Sequence, residues 1–211
     1  MEQQLRIAKA GAAWLALYVL ASTAAYSIVD IYYYDLDSLY LVLVVMVWVL
    51  GYVLLLGLMR VSSWRAEPEL GGIGGYFGLS LIAGIATLIG VILFLIPGLY
   101  LMLRWMPAYA RLQQAGDGVQ QALGWSWEAT ANIQKPLAIA MIGPVSTYAI
   151  FFAIAAYQEF YGQEISDLAY NLSYVALNLT VAVSVAWFQL LGVATYRLIQ
   201  QHRDIPIETF T

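Results

Sequence analysis

The stretch "LFLIPGLYLMLRWMPAYARL", residues 93–112, decides the fold because of what lies before it. No charged side chain occurs from Leu70 to Leu103. At about 1.5 Å per residue, those 34 residues would make a helix of roughly 51 Å. A bilayer offers a hydrocarbon core of only about 30 Å. The run is too long for one comfortable crossing and slightly short for two, so its handling sets the position of everything else.

Composition places the whole chain in the same medium. Of 211 residues, 62% are hydrophobic and 10% charged, whereas a soluble domain is typically about 25% charged. Uncharged stretches cover most of the length, which indicates a polytopic α-helical membrane protein. A membrane barrel would show alternating segments of about ten residues instead. There is no cysteine, which excludes disulfides, thiol catalysis and thiolate metal sites. The first apolar segment has no small-residue cleavage site and is expected to remain as a span.

Candidate helices are Gly11–Val29, Ser38–Met59, the long run from Gly71 to about Ala110, Pro136–Tyr157 and Ala169–Ile199. Basic residues resist translocation and mark the cytoplasmic side. Arg6 and Lys9 precede the first span, and Arg60 and Arg65 follow the second. The loop between, with Asp30, Asp35 and Asp37, has no base. Arg197 and Arg203 follow the last span, and the loop before it holds Glu159, Glu164 and Asp167 and again no base. That loop lies outside, so Arg111 and Lys135 lie inside. The long run therefore starts and ends on the cytoplasmic side and must cross an even number of times. The expected architecture is all-α, with six membrane segments and both termini cytoplasmic, in one integral-membrane domain over residues 1–211.

The third and fourth segments then form a short hairpin. Carrying the second arm past Arg104 to Ala110 gives 41 residues from Leu70, enough for two short crossings if Arg104 snorkels or faces protein. Near the midpoint stand Gly90, Pro97 and Gly98, with no polar residue to meet water. Irregular backbone in lipid needs cover from protein or a wet cavity. The expected turn is near Gly90, its tip against other helices, with Pro97 and Gly98 kinking the returning arm. A turn at Pro97 would leave an arm of about a dozen residues, too short to span.

Residues 115–136 read as one helix at the cytoplasmic interface. Asp117 is the expected N-cap with Gln120 completing a capping box, and Lys135 and Pro136 mark the far end. The segment is either a connector with its tryptophans at headgroup level or a docking surface.

Little catalytic chemistry is on offer. No acidic residue is expected well inside a span, and the lone His202 lies in the tail without a second histidine for a metal pair. Glu67 and Glu69 flank Pro68 in a loop and more readily solubilise a turn than do acid–base work. "GGIGGYFG" (71–78) lacks the lysine of a phosphate loop. Its Gly71, Gly74, Gly75 and Gly78 give two small-xxx-small spacings suited to close helix packing. In the last span Asn171, Asn178 and Gln189 return to nearly one helix face. That stripe either bonds helices together or walls a path for a headgroup or small solute. The aromatic residues at the segment ends form the usual interface belts.

Ile96-Pro97-Gly98-Leu99-Tyr100, Arg104-Trp105, a Gly-Asp-Gly turn and Ala122-Leu123-x-x-Ser126-Trp127 form one pattern over roughly residues 85–135. It resembles the integral-membrane domain found beside some bacterial glycerophosphodiester phosphodiesterases, and the stand-alone inner-membrane proteins related to it. Nothing resembles the phosphodiesterase catalytic domain, so the resemblance implies a membrane module and no hydrolase. It points to the bacterial inner membrane and to Arg104, Trp105, Ser126 and Trp127 as contacts for lipid or a partner.

The expected function is a non-catalytic accessory or scaffold module in contact with lipid, able to hold an anionic headgroup and needing no cofactor or metal. Membrane lipids are the expected partners, with a membrane protein or a second copy next and nucleic acid excluded. Two other classes compete. A transporter or flippase for an amphiphile would have a cavity beside Asn178, and a subunit of a larger complex would present a glycine-lined face.

Overall fold

The computed structural model describes residues 2–33, 35–62, 72–161 and 166–203. Gly71, Trp64, Arg65, Glu67 and Glu69, and the side chain of His202, lie outside the described residues. Within them the chain is all-helical: α1 (Glu2–Ala10), α2 (Ala12–Tyr32), α3 (Asp37–Val61), α4 (Gly72–Leu93), α5 (Leu95–Trp105), α6 (Ala108–Ala115), α7 (Val119–Ala129), α8 (Gln134–Tyr161) and α9 (Asp167–Arg203). Five of these, α2, α3, α4, α8 and α9, are long and apolar enough to cross a membrane. The chain is a helical multi-pass membrane protein.

The long uncharged run is resolved by prolines. Pro97 sits in the first turn of α5, and Phe94, in extended backbone (φ −156°, ψ 122°), separates that helix from α4. A proline ring clashes with the carbonyl four residues earlier in a continuous helix, here Leu93, which favours a kink or a break, and at Phe94 the helix breaks. The turn is therefore at Phe94 and not near Gly90, and Pro97 starts the returning arm instead of kinking it. Gly90 and Gly98 have another use. A methyl on Gly90 would lie 2.9 Å from the backbone of Gly98, so the two arms cross here backbone against backbone. Pro107 then divides the return into α5 and α6. The two ends of the run meet, with Gln113 Nε2 donating to the Gly72 carbonyl at 3.0 Å.

The turn itself is bare. Phe94 and Ile96 are 73% and 79% exposed, so the tip does not lie against other helices as expected.

The main core gathers at one end, called basal here. Ile7 of α1, Leu54, Leu55 and Leu58 of α3, Tyr76 of α4, Ala110 of α6 and Leu190, Val193, Ala194 and Tyr196 of α9 are buried together. α1 was not foreseen, because Ile7, the one deeply buried side chain among its described residues, sits among charged and amide neighbours. Arg6, Lys9, Arg60, Arg104, Arg111, Lys135 and Arg197 all stand on elements that meet at this end. Asp30, Asp35, Asp37, Glu159 and Asp167 stand at the opposite, distal end.

The segment expected as one helix over 115–136 is shorter and differently capped. Gly116 in the left-handed conformation (φ 65°) closes α6, as a residue without Cβ does at least cost. Asp117 does not cap α7. It pairs with Arg111 at 2.6 Å, and Gly118 is the N-cap, its N–H donating to Gln121 Oε1 at 3.1 Å in place of Gln120. The helix ends at Ala129, and Lys135 and Pro136 belong to the first turn of α8. Among the expected packing glycines, Gly75 faces the Leu112 side chain and Gly78 faces Val119, while Gly74 faces open space. Gly75 and Gly78 thus pack against side chains of α6 and α7, with no neighbouring backbone among their nearest atoms.

Candidate functional site: a buried arginine between α5 and α7

Arg104 stands in the last turn of α5 and is only 3% exposed. Its Nη2 donates to the Trp127 carbonyl. Trp127 lies in the last turn of α7, where carbonyls lack helical partners and carry the negative end of the helix dipole. The contact is reciprocal. Ser126 Oγ donates to the Arg104 carbonyl at 2.6 Å, and Thr130 Oγ1 approaches the same oxygen at 3.5 Å. Ser126 and Thr130 are fully buried. One residue thus holds α7 through both its side chain and its backbone.

Aromatic rings cover the guanidinium. Its carbon lies 4.4 Å from the centroid of the Trp127 ring and 5.8 Å from that of Tyr100. Tyr100 meets Trp127 edge-on at 5.7 Å, and Trp105 approaches Trp127 at 6.5 Å. Desolvated cation–π contacts contribute on the order of 2 kcal/mol. No carboxylate pairs with Arg104 among the described residues, and its Nε and Nη1, both buried, have no hydrogen-bond partner there. The four residues singled out by pattern, Arg104, Trp105, Ser126 and Trp127, are therefore brought together. Tyr100 and Thr130 complete the site, and Tyr100 stood within the quoted motif.

The polar residues of α9 are not brought together. Asn178 Nδ2 donates to Asp30 Oδ2 at 2.7 Å and to Ser27 Oγ at 3.3 Å, both on α2. Tyr40 of α3 donates to the other Asp30 oxygen at 2.7 Å. Gln189 Nε2 donates to the Tyr76 hydroxyl of α4 at 2.9 Å, and Asn171 stands half-buried further out. A cavity of about 470 Å³ lies between α2 and α9 towards the distal end, and one of about 770 Å³ lies among α4, α5, α6, α8 and α9. Neither is lined by Asn171, Asn178 or Gln189. Asp30, expected in a loop, lies inside α2, because that helix runs on to Tyr32.

Comparison with protein-family models, with curated proteins and with solved structures gives no match.

Proposed function

We propose that this chain is a non-catalytic module of the bacterial inner membrane, an accessory or scaffold protein, and that Arg104 engages the phosphate of an anionic lipid headgroup. The module has six membrane segments, the fourth made of α5 and α6 together, with α1, α7 and the end of α9 on the cytoplasmic side. Three observations support that topology: all the described bases stand at the basal end, the acids of α2, α3, α8 and α9 collect at the distal end, and Gln113 reaches back to Gly72. The resemblance of residues 85–135 to a membrane domain points the same way.

The lipid reading is carried by the two unpartnered donors of Arg104. A charge buried without a counter-ion costs several kcal/mol unless hydrogen bonds compensate, and one carbonyl with two ring faces compensates only in part. Nε and Nη1, on different edges of the guanidinium, can each donate a charge-assisted hydrogen bond to a phosphate oxygen. Their cover is the rings of Tyr100 and Trp127, both more than a third exposed, so an anion reaches the site by displacing rings that already meet the surroundings.

Native mass spectrometry from mild detergent tests this. The wild type should retain anionic phospholipid in preference to zwitterionic, Arg104→Gln should lose that preference, and Arg60→Gln, at an exposed position, should keep it. A folded Arg104→Gln variant with the wild-type complement of anionic lipid would sink the proposal.

A further inference from the structure

The cavity of about 770 Å³ lies within the size range of ligand pockets, roughly 300–1,000 Å³. Its floor is buried, with Ala83, Met141, Pro144 and Ser184 at or near mid-helix. Its rim is open, and Leu88, Leu95 and Phe152 are 59%, 61% and 67% exposed. No charged residue lines it. The Ser184 hydroxyl on the floor is already used, donating to the Pro144 carbonyl at 3.0 Å. The rim residues belong to membrane-length or adjoining apolar helices, so the mouth opens into hydrocarbon.

We infer that this cavity holds one acyl chain of a membrane phospholipid, which enters sideways past Leu88, Leu95 and Phe152 and leaves its headgroup outside. An empty space of this size would deprive its walls of dispersion contacts on one side. Water is a poor filling, since each buried molecule needs about two to four polar partners. A hydrocarbon chain fits the lining and is the medium at the mouth. A free fatty acid fits less well, because its carboxylate would meet no cation on the wall. Arg104 does not supply one: Leu95, Leu99 and Met102 share the cavity face of α5 at helical spacing, whereas Tyr100 and Arg104 face α7. The acyl site therefore does not depend on the headgroup reading above.

The full chain reconstituted in phosphatidylcholine vesicles provides the test. The vesicles carry a phosphatidylcholine with a mid-chain diazirine, and adducts are mapped by mass spectrometry after irradiation. Adducts should form on the floor at Met141 and Ser184. A Cβ at Gly84, which also lines the cavity, would meet no atom within 4 Å, so Gly84→Leu fills the space without moving backbone. That variant, or Ala149→Leu on the opposite wall, should lower floor adducts severalfold and leave those at exposed Val42 and Val45 of α3 unchanged. Arg104→Gln should keep the floor adducts whatever it does to anionic lipid. Any one of four results would overturn the inference: adducts confined to the rim, floor adducts undiminished in both filled variants, their loss in Arg104→Gln, or a free diazirine fatty acid labelling the floor in preference to the phospholipid.

Discussion

The two ends of the bundle are built on different principles. Along α3, Leu54, Leu55 and Leu58 of the basal half are 1%, 1% and 0% exposed, while Leu41 and Val42 of the distal half are 70% and 64% exposed. The same change runs along α9, from buried Val193 and Ala194 to exposed Leu168 and Leu172. At the basal end, close packing of aliphatic and aromatic side chains holds the helices. At the distal end they are joined by a few hydrogen bonds, from Asn178 and Tyr40 to Asp30 and from Gln158 to Ser173 at 2.6 Å. In hydrocarbon there is no hydrophobic drive between helices, so van der Waals fit and interhelical hydrogen bonds are the available forces. The basal end uses both, close packing together with bonds such as Gln113–Gly72 and Ser126–Arg104, whereas the distal end relies mainly on the second.

That contrast can be broken at several strengths. The largest expected effect is all-or-none. Cysteine placed at exposed Ser38 of the distal end should react with an impermeant thiol reagent from outside intact cells, and cysteine at exposed Gln120 of the basal end should react only after lysis. External labelling at both would end the six-segment topology. Next, Leu58→Ala should destabilise the fold by about 2–5 kcal/mol, the range for a buried leucine that leaves a cavity. Leu41→Ala, on the lipid-facing surface, should shift unfolding in detergent by less than about 0.5 kcal/mol. Equal losses would mean that the distal half is packed by something the isolated chain lacks. Ser126→Ala removes the hydroxyl bonded to the Arg104 carbonyl and should cost on the order of 1 kcal/mol, read as a lower melting temperature. Smallest is Asn178→Leu, expected near 0.6 kcal/mol, the mean for an interhelical hydrogen bond in a membrane. A cost several times larger would make the Asp30 cluster the main fastening of the distal end.

Much of this was legible in the sequence, and the misses have physical causes. Hydropathy gave the five long helices to within a few residues, and the two ends of the long uncharged run lie together at the Gln113–Gly72 bond. The expected turn falls four residues early because a returning arm that begins at Pro97 looks too short to span; Gly90 serves instead where Gly98 crosses it closely. Phe94 itself carries no turn signature; the constraint comes from Pro97, three residues on. The capping of α7 was misread because Asp117 is an excellent cap in isolation, and only the fold brings Arg111 beside it. The Arg104 site was visible as a spaced pattern, but its reciprocal bonding was not, since Ser126 and Trp127 reach it across 22 and 23 residues. The Asp30 cluster could not be found from α9 alone, since its acceptor lies 148 residues away from Asn178.

The bare turn at Phe94 bears on how the chain enters its membrane during synthesis. In the proposed topology the other two distal connections carry Asp35 and Asp37, or Glu159, which have to be moved across the bilayer. An aspartate at the centre of a crossing helix opposes insertion by about 2.5–3.5 kcal/mol, whereas leucine, isoleucine and phenylalanine each favour it by roughly 0.3–0.6 kcal/mol. From Ile92 to Ile96 every side chain is of the favourable kind. In that topology α4 and α5 have no hydrophilic loop to drag across, and their turn offers no polar handle on the far side of the membrane for a protease or antibody to grip.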